Sequence, residues 1–228
     1  MTEHQPFTWL GGLTENHAAT AGSALIATLL LVFAASVRRK LADTEQALVP
    51  DERPSGRSIA EAFVEAIEGI AQTSIGHHAE RYVPLLCSFF ALILCSNLLG
   101  LVPGFSPPTS NFNVTLGLGL ISFTAYNLYG LKANGAGYIR QFMGPVLLLA
   151  PLMFGIELVG HMFRPISLAL RLFANLFADH QVIERFTELT YVGAVVFYLF
   201  GTLVSVVQAF VFTTLTAVYI GLAISHDH

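Results

Sequence analysis

YVPLLCSFFALILCSNLLGLVPGFSPPTSNFNVTLGLGLISFTAYNLYGL, residues 82–131, is fifty residues long and contains no Asp, Glu, Lys or Arg. A hydrocarbon core about 30 Å thick is crossed by about 20 apolar residues, so the run holds two membrane spans. They part at Pro103-Gly104-Phe105-Ser106-Pro107-Pro108, because no lipid-exposed helix carries such a cluster of breakers through the bilayer centre. A second charge-free run, Leu189 to His226, extends for thirty-eight residues. Together the two runs place the chain in the all-α class, as a polytopic membrane protein.

Composition agrees. Of 228 residues, 54% are hydrophobic and only 11% charged, against about 25% charged in soluble domains, which excludes a soluble enzyme. Eleven Lys+Arg against fifteen Asp+Glu, a net charge of −4, lack the cationic surplus that nucleic acid requires. Cys87 and Cys95 stand eight residues apart in one apolar run, on different turns of a helix, and cannot bridge each other. There is no HExxH, GxSxG, Walker P-loop or CxxC, so neither a cofactor nor a metal is expected.

Outward from the long runs, residues 1–17 form an outer N-terminal segment with no basic stretch of the kind that opens a cleaved signal. The first transmembrane helix, residues 18–40, ends at Arg38-Arg39-Lys40, which marks that end as cytoplasmic. Residues 41–81 comprise a polar linker with Pro50 and Pro54, then a helix from Ser58 to Ile75 that is too polar to span. Glu61, Glu65, Glu68 and Gln72 recur on one face, with Ile59, Phe63, Ile67 and Ile70 on another, the pattern of an interfacial amphipathic helix. Its acidic face would be repelled by anionic lipid, which favours a protein partner; a merely solvated face is the plain alternative.

Residues 82–228 form the channel domain, with spans at about Val83 to Val102 and Asn113 to Leu131. The connection after the first span holds six basic residues (Arg38, Arg39, Lys40, Arg53, Arg57, Arg81), the loop after the third holds Lys132 and Arg140, and the N-terminus and the second-to-third loop hold none. The N-terminus is therefore outside. From Gly144 to Glu188 the pattern is helical for about 45 residues, or about 67 Å, more than twice the bilayer core. That segment either folds back or lies steeply tilted, and Pro165 marks a turn or a kink. The last span, Thr190 to Ile224, is also long enough to require tilt.

Ionisable groups concentrate in residues 157–188, and inside a bilayer such groups are functional candidates by default. Counting about 100° per residue from Glu157, His161 falls at about 40°, Arg164 at −20°, Arg171 at −40°, Asn175 at 0° and Asp179 at 40°. Six polar side chains thus share one stripe of a helix that is otherwise Leu, Ile, Phe and Ala, so the stripe faces protein or water. His180, at about 140°, points to a neighbouring helix. Arg171 has no acidic residue at i±3 or i±4, which puts its partner on another chain. A guanidinium does not relay protons, but it holds an approaching carboxyl ionised and repels a cation trying to pass. Those properties suit a separator between two aqueous half-paths; the alternative is a purely structural ion pair with a partner subunit. Glu157 and His161, at i and i+4, are a candidate proton-sharing pair. Asp179-His180 forms a second titratable cluster about 12 Å along the axis from Arg171. In the last span Gln208 is expected to be the most buried polar side chain, with Gly201, Ser205, Thr216 and Tyr219 near its face.

Arg164-Pro165-Ile166-Ser167-Leu168-Ala169-Leu170-Arg171-Leu172-Phe173-Ala174-Asn175, continuing to Asp179-His180, closely resembles the signature of subunit a of F-type ATP synthases. Asn97-Leu98-Leu99-Gly100-Leu101-Val102-Pro103-Gly104, Pro108-Thr109 through Asn113-Val114-Thr115, and Gln208-Ala209-Phe210-Val211-Phe212 extend the likeness over about residues 82–224. The resemblance implies a stator subunit beside a rotating c-ring whose carboxyls take protons from one half-channel and release them into the other, with peripheral-stalk b subunits and lipid as further partners. Arg171 takes the place of the family's essential arginine. The resemblance puts Asn175 and Gln208 on the outer path and Glu157 and Ser167 on the inner; the titratable clusters read from the residues add Asp179 and His180 to the outer path and His161 to the inner. It further implies five crossings, the last two helices long and steeply tilted, a cytoplasmic C-terminus and a bacterial inner membrane. The chain departs from many members in carrying His180 nine residues after the arginine in place of an acid, Gly201 in place of a His, and Gly100 in place of an Asp. A secondary transporter would show inverted repeats, which are absent here, and a structural membrane subunit would conduct protons equally well without Arg171.

Overall fold

The computed structural model describes residues 15–41, 56–76, 78–102, 105–135, 137–138, 150–189 and 191–225. Expectations for the first fourteen residues, for the linker with Pro50, Arg53 and Pro54, and for Pro103, Gly104, Arg140, Thr190 and His226 lie outside them. Among the described residues six helices follow one another: α1 (Glu15–Leu41), α2 (Gly56–Ile75), α3 (Val83–Leu99), α4 (Phe112–Asn134), α5 (Ala150–Leu189) and α6 (Tyr191–Ile224), with 3-10 turns at Ala79–Arg81 and Pro108–Ser110. Among the described residues there is no strand.

Among the described residues three stretches are long and apolar enough to cross a membrane: Ala18–Arg39 in α1, Phe112–Asn134 in α4 and Val195–Ile224 in α6. α3 is as apolar but shorter, 17 residues, or about 25 Å. It starts with Pro84 in its first turn, where a missing N–H costs nothing. α4 starts at Asn111, whose side chain accepts a hydrogen bond from the backbone N–H of Asn113 at 2.9 Å.

α6 is the central element, packed against α2, α3, α4 and α5. One core cluster joins Ile67 and Ala71 of α2 to Leu86, Tyr126, Ala217 and Ile220. The other joins Phe89 and Ile93 of α3 to Leu118 of α4, Leu168, Leu172 and Leu176 of α5, and Ala209 and Phe212 of α6. Lipid is as apolar as leucine, so close packing and interhelical hydrogen bonds have to supply the cohesion. Ser122 and Thr216 join their hydroxyls at 2.9 Å across α4 and α6. The Thr109 hydroxyl donates to Asn97 Oδ1 at 2.7 Å, and Asn97 Nδ2 reaches the Ser205 carbonyl at 3.4 Å.

α5 runs unbroken through Pro165 for 40 residues, about 60 Å, so the fold-back alternative is excluded. The proline is held at a close helix crossing: a Cβ on Gly119 of α4 would lie 2.7 Å from the Pro165 carbonyl oxygen. Neighbouring backbone is what lets a membrane helix tolerate such a residue. α2 packs its apolar stripe on the helical body, with Ile67 and Ala71 buried and Phe63 and Ile70 partly so, while Ile59 stays 65% exposed. Its glutamates face outward, with Arg57 Nε on Glu61 at 2.6 Å.

Candidate functional site

Helix α5 explains the site through its rotation. Pro165, Leu168, Ala169, Leu172, Leu176 and Ile183 are buried, and on the scale that starts at Glu157 they occupy about 20° to 120°. The polar stripe lies along the edge of that packed face rather than at its centre, and small differences in angle separate its members. His161 is buried, Arg164 and Asp179 are half-buried, and Glu157, Arg171 and Asn175 are exposed. Ser167, at about −80°, is turned further out and exposed, and His180 is half-buried at the opposite edge.

Next to Arg171 on α5 the exposed positions are Ser167, Ala174, Asn175 and Ala178. Further round α5, Ile166, Leu170 and Phe177 are uncovered, as are Leu203, Val206, Val207 and Phe210 on α6. Among the described residues Arg171 makes no hydrogen bond and no ion pair. Arg171 thus stands exposed in a pair of packed helices whose uncovered side chains are otherwise largely apolar.

Toward the start of α5 the polar groups close into a cluster. Asn127 Oδ1 accepts from the Tyr138 hydroxyl and lies on His161 Nε2, both at 2.8 Å, while Asn127 Nδ2 donates to the Phe123 carbonyl at 2.7 Å. That last bond fixes which way the amide faces, since a flipped amide would set two oxygens against each other. His161 consequently carries hydrogen on Nε2 and turns Nδ1 to the Arg164 guanidinium at 3.4 Å. Arg164 also lies 3.5 Å from Glu157 Oε1 and stacks over the Tyr219 ring, 5.3 Å from its centroid. Glu157 and His161 thus do meet, but through Arg164. Asn127 and Tyr138 are absent from the expected set; an Asn inside a charge-free span was a signal that could have found Asn127.

On α6 the expectation for Gln208 needs correcting. Buried positions recur at Gly201, Ser205, Ala209, Phe212, Thr216 and Ile220, so Gln208 stands on the flank of that face and is only half-buried. Ser205, Thr213 and Thr216 are the buried polar side chains. Near the far end of α5, the Asp179 carboxylate turns to the α6 surface at Gly201: a Cβ there would lie 2.8 Å from Asp179 Oδ2, 3.0 Å from Ile183 Cδ1 and 3.1 Å from Leu101 Cδ2.

The model of the ATP synthase A chain family matches residues 19–221. The chain belongs to this family. ATP synthase subunit a of Bdellovibrio bacteriovorus is 45% identical over 214 residues, 93% of each chain. ATP synthase subunit a of Citrifermentans bemidjiense is 42% identical over 177 residues, 77% of each chain, and ATP synthase subunit a 1 of Pelobacter propionicus is 39% identical over 211 residues, 92% of this chain and 89% of that one. The A chain family is the proton-translocating subunit of the synthase's membrane sector, so a membrane-embedded cation and paired titratable groups have a use in it. The matched region of this A chain takes in all six helices apart from the ends of α1 and α6.

Proposed function

We propose that the chain forms two aqueous half-channels against a rotating c-ring, with Arg171 separating them. The observation that carries this is the exposed Arg171 guanidinium, which makes no hydrogen bond or ion pair among the described residues and belongs to a pair of packed helices, α5 and α6, that both leave large apolar side chains uncovered. Burying a lone cation against lipid is expensive, and the expense disappears when a ring carboxylate comes to lie opposite. As the ring turns, each protonated carboxyl leaving lipid gives its proton to one path as it meets the cation. It passes Arg171 ionised and is reprotonated from the other path. The guanidinium, permanently charged, blocks a proton from crossing directly.

Asn175, Asp179, His180 and Gln208 serve the outer path, and Glu157, His161 and Ser167 the inner. Within the inner path, the hydrogen-bond geometry favours Glu157 as the exposed group that exchanges protons, with His161 holding Arg164 beside it. Five crossings place α1, α3, α4, α5 and α6 in the membrane, the last two tilted, and leave α2 at the cytoplasmic interface. There its outward glutamates suit a protein partner such as the peripheral-stalk b subunits. The N-terminus lies outside and the C-terminus in the cytoplasm of a bacterial cell. Each charge falling through 100 mV releases about 2.3 kcal/mol, so rotation has to pool several protons for each nucleotide made.

Cross-linking tests the ring-facing surface. With Cys87 and Cys95 replaced by Ala, a single cysteine at Leu203 or Val207 should form a disulfide with cysteines placed on the ring's outer helices. One at Ile93, which is buried in the core, should not. Failure of both surface positions to cross-link in an assembled complex would remove the ring from this face.

A further inference from the structure

We propose that Asp179, rather than His180, passes the proton at the α5–α6 seam of the outer path, its carboxylate taking the space that Gly201 leaves by having no side chain. The inference rests on the half-channel reading above. Three side chains converge on the point where a Gly201 Cβ would stand, and the nearest is the carboxylate: Asp179 Oδ2 at 2.8 Å, against 3.0 Å for Ile183 Cδ1 and 3.1 Å for Leu101 Cδ2. A distance of 2.8 Å is one that a real Cβ would not tolerate, so the glycine and this placement of the carboxylate depend on each other. Gly201 is itself buried and Asp179 half-buried, so the acid sits at a helix seam with part of its surface still open. Among the described residues it makes no hydrogen bond or ion pair, so no protein group ties up the oxygens needed to take a proton.

His180 stands about 100° further round α5, and the three atoms nearest the Gly201 Cβ position belong to Asp179, Ile183 and Leu101. Asp179 lies on the same side of the helix as Asn175 and Arg171, two turns from the cation. In the direction of ATP synthesis, the carboxylate takes a proton from water entering from outside and becomes the neutral acid. It then donates that proton to a ring carboxylate arriving past Arg171 and is ionised again, so one proton enters and one leaves.

The test is ATP-driven proton pumping by inverted vesicles carrying the whole complex, with assembly checked by co-purification of the ring. Asp179→Asn, which keeps the shape, should lower pumping about a hundredfold, the lower end of what a positioned proton-transfer group contributes, whereas His180→Gln, which removes a group that serves the path without passing the proton at the seam, should lower it less. The decisive variant moves the acid across the seam: an aspartate's oxygens lie two bonds beyond its Cβ, so Asp179→Gly combined with Gly201→Asp returns a carboxylate to the same space from the other helix. Recovery of pumping in that double variant is the expected result, and a structural role for Asp179 would not produce it. Full pumping by Asp179→Asn, a loss in His180→Gln as large as that in Asp179→Asn, or no recovery in an assembled double variant would each overturn the proposal. Arg171→Ala run in parallel separates the two levels: if it still pumps, the half-channel reading itself fails; if it does not pump while Asp179→Asn does, only this inference fails.

Discussion

Asn127 shows how a single uncharged side chain can organise charged ones. Its oxygen is shared by Tyr138 and His161, and His161 in turn receives Arg164. Removing it in Asn127→Ala leaves the ring N–H of a histidine only 5% exposed without that acceptor, which costs about 1–3 kcal/mol for a buried unsatisfied donor. A lower unfolding midpoint of the purified protein in detergent would register the loss, and an unchanged midpoint would mean the cluster is not under load. Residue types and helical angle were enough to single out Glu157, His161, Arg171, Asn175 and Asp179, because charge in an apolar run is conspicuous. They did not reveal that Arg164 stands between Glu157 and His161, or that Asn127 and Tyr138 complete the cluster. Those partners come from another helix and the loop after it, and a helical wheel carries no information about a neighbour. Gln208 was misjudged for a related reason: its burial is set by which side of α6 meets α3, α4 and α5.

At the scale of the elements, glycines decide how near helices come. Gly119 meets the Pro165 carbonyl across α4 and α5, whereas Gly117, two residues away on α4, has nothing within 4 Å of its would-be Cβ. Gly119→Ala is expected to destabilise by about 1–3 kcal/mol, the usual cost of overpacking, and Gly117→Ala to be neutral or slightly stabilising through helix propensity. Comparing the two by thermal unfolding in detergent isolates the crossing from glycine's general effects, and equal midpoints would argue against the close approach at Pro165. Helix class and the places of α3 and α4 were legible because fifty charge-free residues admit little else, and the 3.6-residue stripe of α2 foretold which of its faces is buried. The continuity of α5 through Pro165 was not legible. Proline biases the residue before it away from helix, and only the packing of Gly119 against that turn overrides the bias.

For the whole molecule, orientation and proton coupling are the properties to test. In the proposed topology the excess of Lys and Arg after the first span puts the N-terminus outside, and five crossings then put the C-terminus in the cytoplasm. A fluorescent protein fused after His228 should therefore fluoresce, while an alkaline phosphatase fused at the same point should stay inactive; the reverse pattern would require an even number of crossings. In the proposed mechanism coupling depends on one cation. Arg171 stands exposed on α5, and the account assigns it the separation of two proton paths. The most direct test is ATP-driven acidification of inverted membrane vesicles carrying Arg171→Ala, with co-purification of the c-ring to establish assembly. Loss of acidification in an assembled complex is the predicted result; acidification at the rate of the unaltered complex would show that Arg171 separates nothing and would contradict the account.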